Sequence, residues 1–247
     1  MLKLNVAYKK GGIGMLSPTE RKKASFSLLP AHNTDMRKYE EVYLTFANTG
    51  YDKALCDLYS EIFIDNVKRP NAADIIQLAA LYERIHDSKA SLFQMAKLQD
   101  KKLSNPDRFD FCVQSLKASS LSGLWVDAEE FRTANISFMQ KYSEKLPQNK
   151  VADMYIALAL ADCAAKNYTQ ALSLLKFGYK PQGKNDTKLL EIFITAVYIF
   201  AKANDPSGLE GALNNANACL NMISNFEFSW CREYYEKRIE DASNGIF

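Results

Sequence analysis

The sequence predicts an all-α chain, a solenoid of about five helix-turn-helix hairpins followed by a C-terminal capping helix. Three observations lead there. Apolar residues recur at three- and four-residue spacing and do not alternate, which is the period of a helix face. Glycine and proline, the strongest helix breakers, number only 10 and 7 in 247 residues. Short polar turns return along the chain, each followed by an alanine that opens another amphipathic run, the mark of an internal repeat. A composition of 47% hydrophobic and 24% charged residues is that of a folded chain with a sizeable core, and excludes disordered and collagen-like classes.

Residues 1–34 read as a basic arm. Lys3, Lys9, Lys10, Arg21, Lys22 and Lys23 face only Glu20 there, so the arm carries +5 of a net +2 and leaves −3 on the remainder. Within it Leu2, Leu4, Val6 and Tyr8 alternate with Lys3, Asn5 and Ala7, the period of a short strand. A lone strand on a helical protein has no pairing edge, so it is expected to be disordered or to pair with a partner. Ser17-Pro18-Thr19-Glu20 is a capping box with proline at the first helical position, opening a basic helix that stops before Pro30.

The repeat domain is expected over 35–247. Its first hairpin turns at Asn48-Thr49-Gly50 and resumes through Tyr51-Asp52-Lys53-Ala54 into Leu55, Leu58 and Ile62. The second carries Leu78, Ala79 and Tyr82 before a turn at His86-Asp87-Ser88 and Ala90. The third turns at Ser122-Gly123 and resumes through Leu124-Trp125-Val126-Asp127-Ala128. The fourth, Ala152 to Tyr179, places Tyr155, Leu158, Ala159 and Asp162 on one helix, turns at Lys166-Asn167, and places Ala171, Leu174 and Leu175 on a second. Each helix of such a pair exposes an apolar stripe that only a neighbouring pair can cover. The fifth hairpin runs from Leu190 to about Ala216, with a longer turn at Asn204 to Gly208. The post-turn alanines 54, 90, 128, 171 and 212 are 36, 38, 43 and 41 residues apart. Ser224-Asn225-Phe226-Glu227 is a second capping box. It opens a last helix with Phe228, Cys231, Tyr235 and Ile239 on one face, closed by Asn244-Gly245.

The fourth hairpin resembles a tetratricopeptide repeat. Tyr155 stands for that pattern's tryptophan, Leu158 for its leucine, Ala159 for its small residue, Ala171 for its post-turn alanine and Leu175 for its phenylalanine. Asp162 departs from the tyrosine the pattern places there, the final proline is displaced to Pro181, and the spacings exceed the family period of about 34. The resemblance implies a right-handed α-solenoid whose first helices line a concave groove that binds a peptide or partner helix. Transferred by register, that face holds Tyr39, Tyr43 and Phe46, then Ile76 and Ala80, Val113 and Lys117, Ile156 and Leu160, and Phe193, Val197 and Phe200. The stripe is apolar apart from Lys117 and the two tyrosine hydroxyls. Either a tightly curved array or the terminal helix buries it as core, or it takes an apolar segment from another protein.

Few residues point to catalysis. His32 and His86 are the only histidines, and neither has a Cys, Asp or Glu placed to complete a metal or triad motif, so neither metal nor cofactor is expected. His86 reads as a turn residue. Lys9-Lys10-Gly11-Gly12-Ile13-Gly14 lacks the flanking elements of a phosphate cradle. Cys56, Cys112, Cys163, Cys219 and Cys231 are odd in number, widely spaced and without a C-x-x-C pair, so reduced, mostly buried thiols are expected. Acidic groups such as Asp127, Glu129 and Glu130 fit a solvated helix face.

Lys9 to Gly12 interrupts any apolar stretch near the start. The longest apolar run, Ile192 to Ala201, is half the ~20 residues of a membrane span, so a cytoplasmic chain without a span is expected. These features together lead to a non-catalytic adaptor, assembly factor or chaperone that holds another protein or peptide segment. One alternative is a structural subunit of a larger assembly, such as a secretion or pilus apparatus or another multi-subunit complex. Another is salt-sensitive nucleic-acid binding through Lys9, Lys10, Arg21, Lys22 and Lys23, against which stand the near-neutral balance and the lack of an aromatic platform.

Overall fold

The computed structural model describes residues 71–181, 186–224 and 231–247, and these form helices without any strand. They are α1 (Ala72–Arg84), α2 (Ser88–Ala96), α3 (Asn105–Leu121), α4 (Trp125–Ser143), α5 (Gln148–Ala164), α6 (Tyr168–Phe177), α7 (Thr187–Ala203), α8 (Pro206–Met222) and α9 (Cys231–Ser243). All belong to one compact unit, Asn71–Phe247. The strand at 2–8, the basic arm with Lys9, Lys10, Arg21, Lys22 and Lys23, and the first hairpin with Tyr39, Tyr43 and Phe46 lie outside the described residues, as does the capping box beyond Ser224.

Local chemistry fixes the helix starts. Asn71, Asp87, Ser104, Asp186 and Asp205 each accept a hydrogen bond from the amide three residues on, satisfying a donor that α1, α2, α3, α7 and α8 leave open. Pro106 and Pro206 sit in the first turns of α3 and α8, where no amide donor is needed.

One turn geometry recurs. His86, Gly123, Lys166, Asn204 and Gly245 all have positive φ, and they close α1, α3, α5, α7 and α9. At His86, Lys166, Asn204 and Gly245 the left-handed residue's N–H donates three residues back. The next N–H donates five back, as from Asp87 to Tyr82 and from Asn167 to Asp162. In the four turns between helices, the residue after the left-handed position caps the next helix: Asp87, Leu124, Asn167 and Asp205. Such short links fold each odd helix back against the even helix that follows it.

The helices pack to a single scheme. Each odd helix packs on its own partner and on the next odd helix, and each even helix also packs on the odd helix after it. α5 is thereby buried on two sides. Met154, Ala157, Leu158 and Ala161 join a core with α3 and α4, while Ile156, Ala159, Leu160 and Cys163 join one with α6 and α7. Ala152, Ala157, Ala159 and Ala161 let the neighbours approach closely. α7 is shared in the same way, with Leu190, Ile194 and Val197 facing α8 and α9, and Ile192 and Ile199 facing α5 and α6. Ala159 and Ala171, placed by the repeat pattern at the crossing of two helices, are wholly buried.

Candidate interaction surfaces

The concave register leads in part into core. Val113, Ile156, Leu160 and Val197 are buried, the first packed with α4 and α5, the next two with α6 and α7, the last with α8 and α9. Their partners are side chains of this chain, so the structure holds no open groove at these four positions. Ile76, Ala80, Lys117, Phe193 and Phe200 are half-buried. Phe200 lies against Gly208, where a Cβ would collide with its ring, and Phe193 packs on the core of α7, α8 and α9. Phe247 contributes to the burial: its ring packs into the core of α5, α6 and α7 and meets Tyr198 edge-on at 5.2 Å.

The polar groups along the odd helices are arranged in pairs. Lys117 Nζ donates to Glu83 at 3.1 Å, and Gln114 Nε2 donates both to Glu83, at 2.7 Å, and to Ser91, at 3.1 Å. Lys150 reaches Asp110 at 2.7 Å and Lys188 reaches Asp153 at 2.8 Å. These last two bridges repeat one design, a carboxylate six residues into an odd helix met by a lysine in the first turn of the next. That spacing was readable in the sequence and would have located the ladder.

Lys188 also pairs with Glu191. Burial alone would raise the Glu191 carboxyl. The Lys188 charge and hydrogen bond, with Arg238 and Arg84 nearby, outweigh it and hold the group at about 2. Residues of α1, α5, α7 and α9 therefore share one network. The turn after α1 joins it: His86 Nδ1 lies 2.7 Å from the main-chain oxygen of Phe247, and Nε2 lies 3.3 Å from Asp241, which Lys237 also pairs with at 3.1 Å. His86 is the turn residue its sequence context indicates, and it also ties positions 155 and 161 apart in the chain.

Cys112, Cys163 and Cys219 are free and buried. Burial raises all three thiols, Cys112 and Cys163 to about 11, so they stay protonated at neutral pH and have little nucleophilic character. The side chain of Cys231 and all of Cys56 lie outside the description.

A cleft of about 500 Å³ opens between α2 and α4 over α3. Its floor is Phe111, Ser115 and Ser119, spaced by four on one face of α3. α2 supplies Leu92, Met95 and Ala96 to one wall, and α4 supplies Phe131, Ala134 and the carboxylates of Asp127 and Glu130 to the other. By sequence these acidic groups fit only a solvated face, because nothing local in the chain shows that two even helices stand apart. A second cleft, of about 540 Å³, lies between the α7–α8 turn and the end of α9. Among the described residues no helix is long and apolar enough to cross a membrane. Comparison of the chain with family models, curated proteins and solved structures finds no match.

Proposed function

We propose that this chain is a non-catalytic scaffold, a right-handed α-solenoid of tetratricopeptide-like hairpins that holds a partner polypeptide in the cytoplasm. The observation that carries the reading is the recurrence of one turn at His86, Gly123, Lys166 and Asn204, combined with odd helices that each pack on the next. A stack built this way satisfies its own backbone and presents long helical faces, a form whose use is contact with other chains. The side-chain chemistry agrees. Lys117, Lys150 and Lys188 pair with carboxylates of the neighbouring odd helix, and the three described thiols are protonated.

The test is affinity capture of the full chain from its native lysate at low and high salt, followed by cross-link mapping by mass spectrometry. One protein at fixed stoichiometry, retained at high salt and cross-linked to residues of the helical hairpins, is the expected result. Capture of no protein, or of nucleic acid alone that salt removes, would overturn the scaffold reading.

A further inference from the structure

We infer that the cleft between α2 and α4 docks a basic amphipathic helix of another polypeptide, a partner chemistry that rests on the scaffold reading and extends it to a surface outside the concave register. Three helix faces converge there at the spacing that receives a helix: Leu92, Met95 and Ala96 from α2, Phe111, Ser115 and Ser119 from α3, and Asp127, Glu130 and Ala134 from α4. The base is apolar. Phe111 and Phe131 meet edge-on at 5.9 Å, and Met95 is buried beside them. The rim has one sign of charge. Asp127 and Glu130 are exposed and neither makes an ion pair among the described residues, although Glu129 on the same helix pairs with Arg132.

A second, independent observation lies in the floor. Ser115 is only 4% exposed, and its hydroxyl has no hydrogen-bond partner among the described residues. Buried hydroxyls are ordinarily paired, so this one leaves a hydrogen bond unmade in the wall that an occupant would cover. An occupant with an apolar stripe covers Leu92, Met95 and Phe131. Lysine or arginine side chains beside that stripe meet Asp127 and Glu130. An acidic helix would set like charges together on the same rim.

The experiment uses the full chain and a labelled synthetic peptide of about 15 residues, long enough to hold a helix, with leucines at positions i, i+3, i+4 and i+7 and lysines elsewhere. A second peptide replaces every lysine by glutamate. Fluorescence anisotropy is read for the native chain, for Asp127→Lys/Glu130→Lys, and for Ala134→Trp, which fills the cleft from an exposed position; circular dichroism checks that each variant keeps its helicity. Should the double variant melt early, Glu130→Lys alone, beyond the first turn of α4, takes its place.

The lysine peptide is expected to bind the native chain, to lose at least about tenfold affinity with either variant, corresponding to about 1.4 kcal/mol, and to bind more weakly as salt rises. Equal binding of both peptides, no binding of the lysine peptide, or unchanged affinity in either variant would overturn the docking proposal. Those outcomes leave the scaffold reading standing if Ala134→Trp still captures the native chain's partner from lysate. Loss of all captured protein from the native chain itself would end that reading instead.

Discussion

A buried carboxylate with half of its hydrogen bonds missing sets the energetics around Asp162. Its Oδ1 accepts from Arg132 Nη1 at 2.7 Å, while Oδ2 is buried with no partner. Removing one member of such a pair costs more than replacing both, because an unpaired buried charge remains. Arg132→Met is therefore expected to destabilise the fold by about 2 kcal/mol, after allowance for its partly exposed guanidinium, and Arg132→Met/Asp162→Leu to recover most of that in denaturant titration. Equal losses in the single and double variants would show that the pair carries no such coupling. The buried thiols make a second residue-scale test. Native iodoacetamide treatment followed by peptide mass mapping is expected to leave Cys112, Cys163 and Cys219 unmodified, with labelling only after unfolding. Asp162 stood out in the sequence as a departure from the repeat pattern. Its partner did not, because Arg132 is 30 residues earlier on another helix and no local spacing joins them.

The hairpin turns were the most legible elements, since their chemistry is local. The polar clusters at His86-Asp87, Ser122-Gly123, Lys166-Asn167 and Asn204-Asp205 fall on the structural turns because a left-handed residue at a helix end is encoded within a few positions, followed by an aspartate cap at Asp87 and Asp205. Less legible was what each helix face meets. The concave stripe has the right period for a groove, but period alone cannot distinguish a face open to a partner from one covered by the next odd helix. At Lys166, φ of 65° puts a side chain where glycine is preferred. Lys166→Gly is expected to stabilise the fold by about 0.5 kcal/mol, the relief of left-handed strain offset in part by the freer unfolded chain. Gly178 is the opposite case. A Cβ there would stand 2.5 Å from Cβ of Tyr155, at the root of that side chain, so α6 can end beside α5 only without one. Gly178→Ala is expected to cost about 2 kcal/mol, a fall of about 4–8 °C in Tm by calorimetry for a chain of this size, and an unchanged Tm would show that the contact yields freely.

At the scale of the molecule, the contacts that join distant helices are electrostatic and were the least visible in the sequence. Glu191 on α7 feels Lys188 on its own helix, Arg238 on α9 and Arg84 on α1, and each of these would read alone as an ordinary surface charge. Their meeting follows from the stacking of odd helices, which no single segment encodes. The network has a pH signature whose sign is fixed. Glu191 is held near 2 in the folded chain against an ordinary value of 4.5, so between those values the unfolded chain binds more protons than the folded one. Its contribution is fully present above about pH 4.5 and is lost as pH falls toward 2, about 3 kcal/mol in all. Glu191→Gln keeps the shape and removes the titration. It is expected to lower stability at pH 7 while flattening the acid limb, so that urea midpoints of the two proteins converge between pH 4.5 and pH 2. Parallel midpoints over that range would mean that other carboxylates set the acid response. Convergence would place the acid-sensitive joint at Glu191, where α7 meets charges from both α1 and α9.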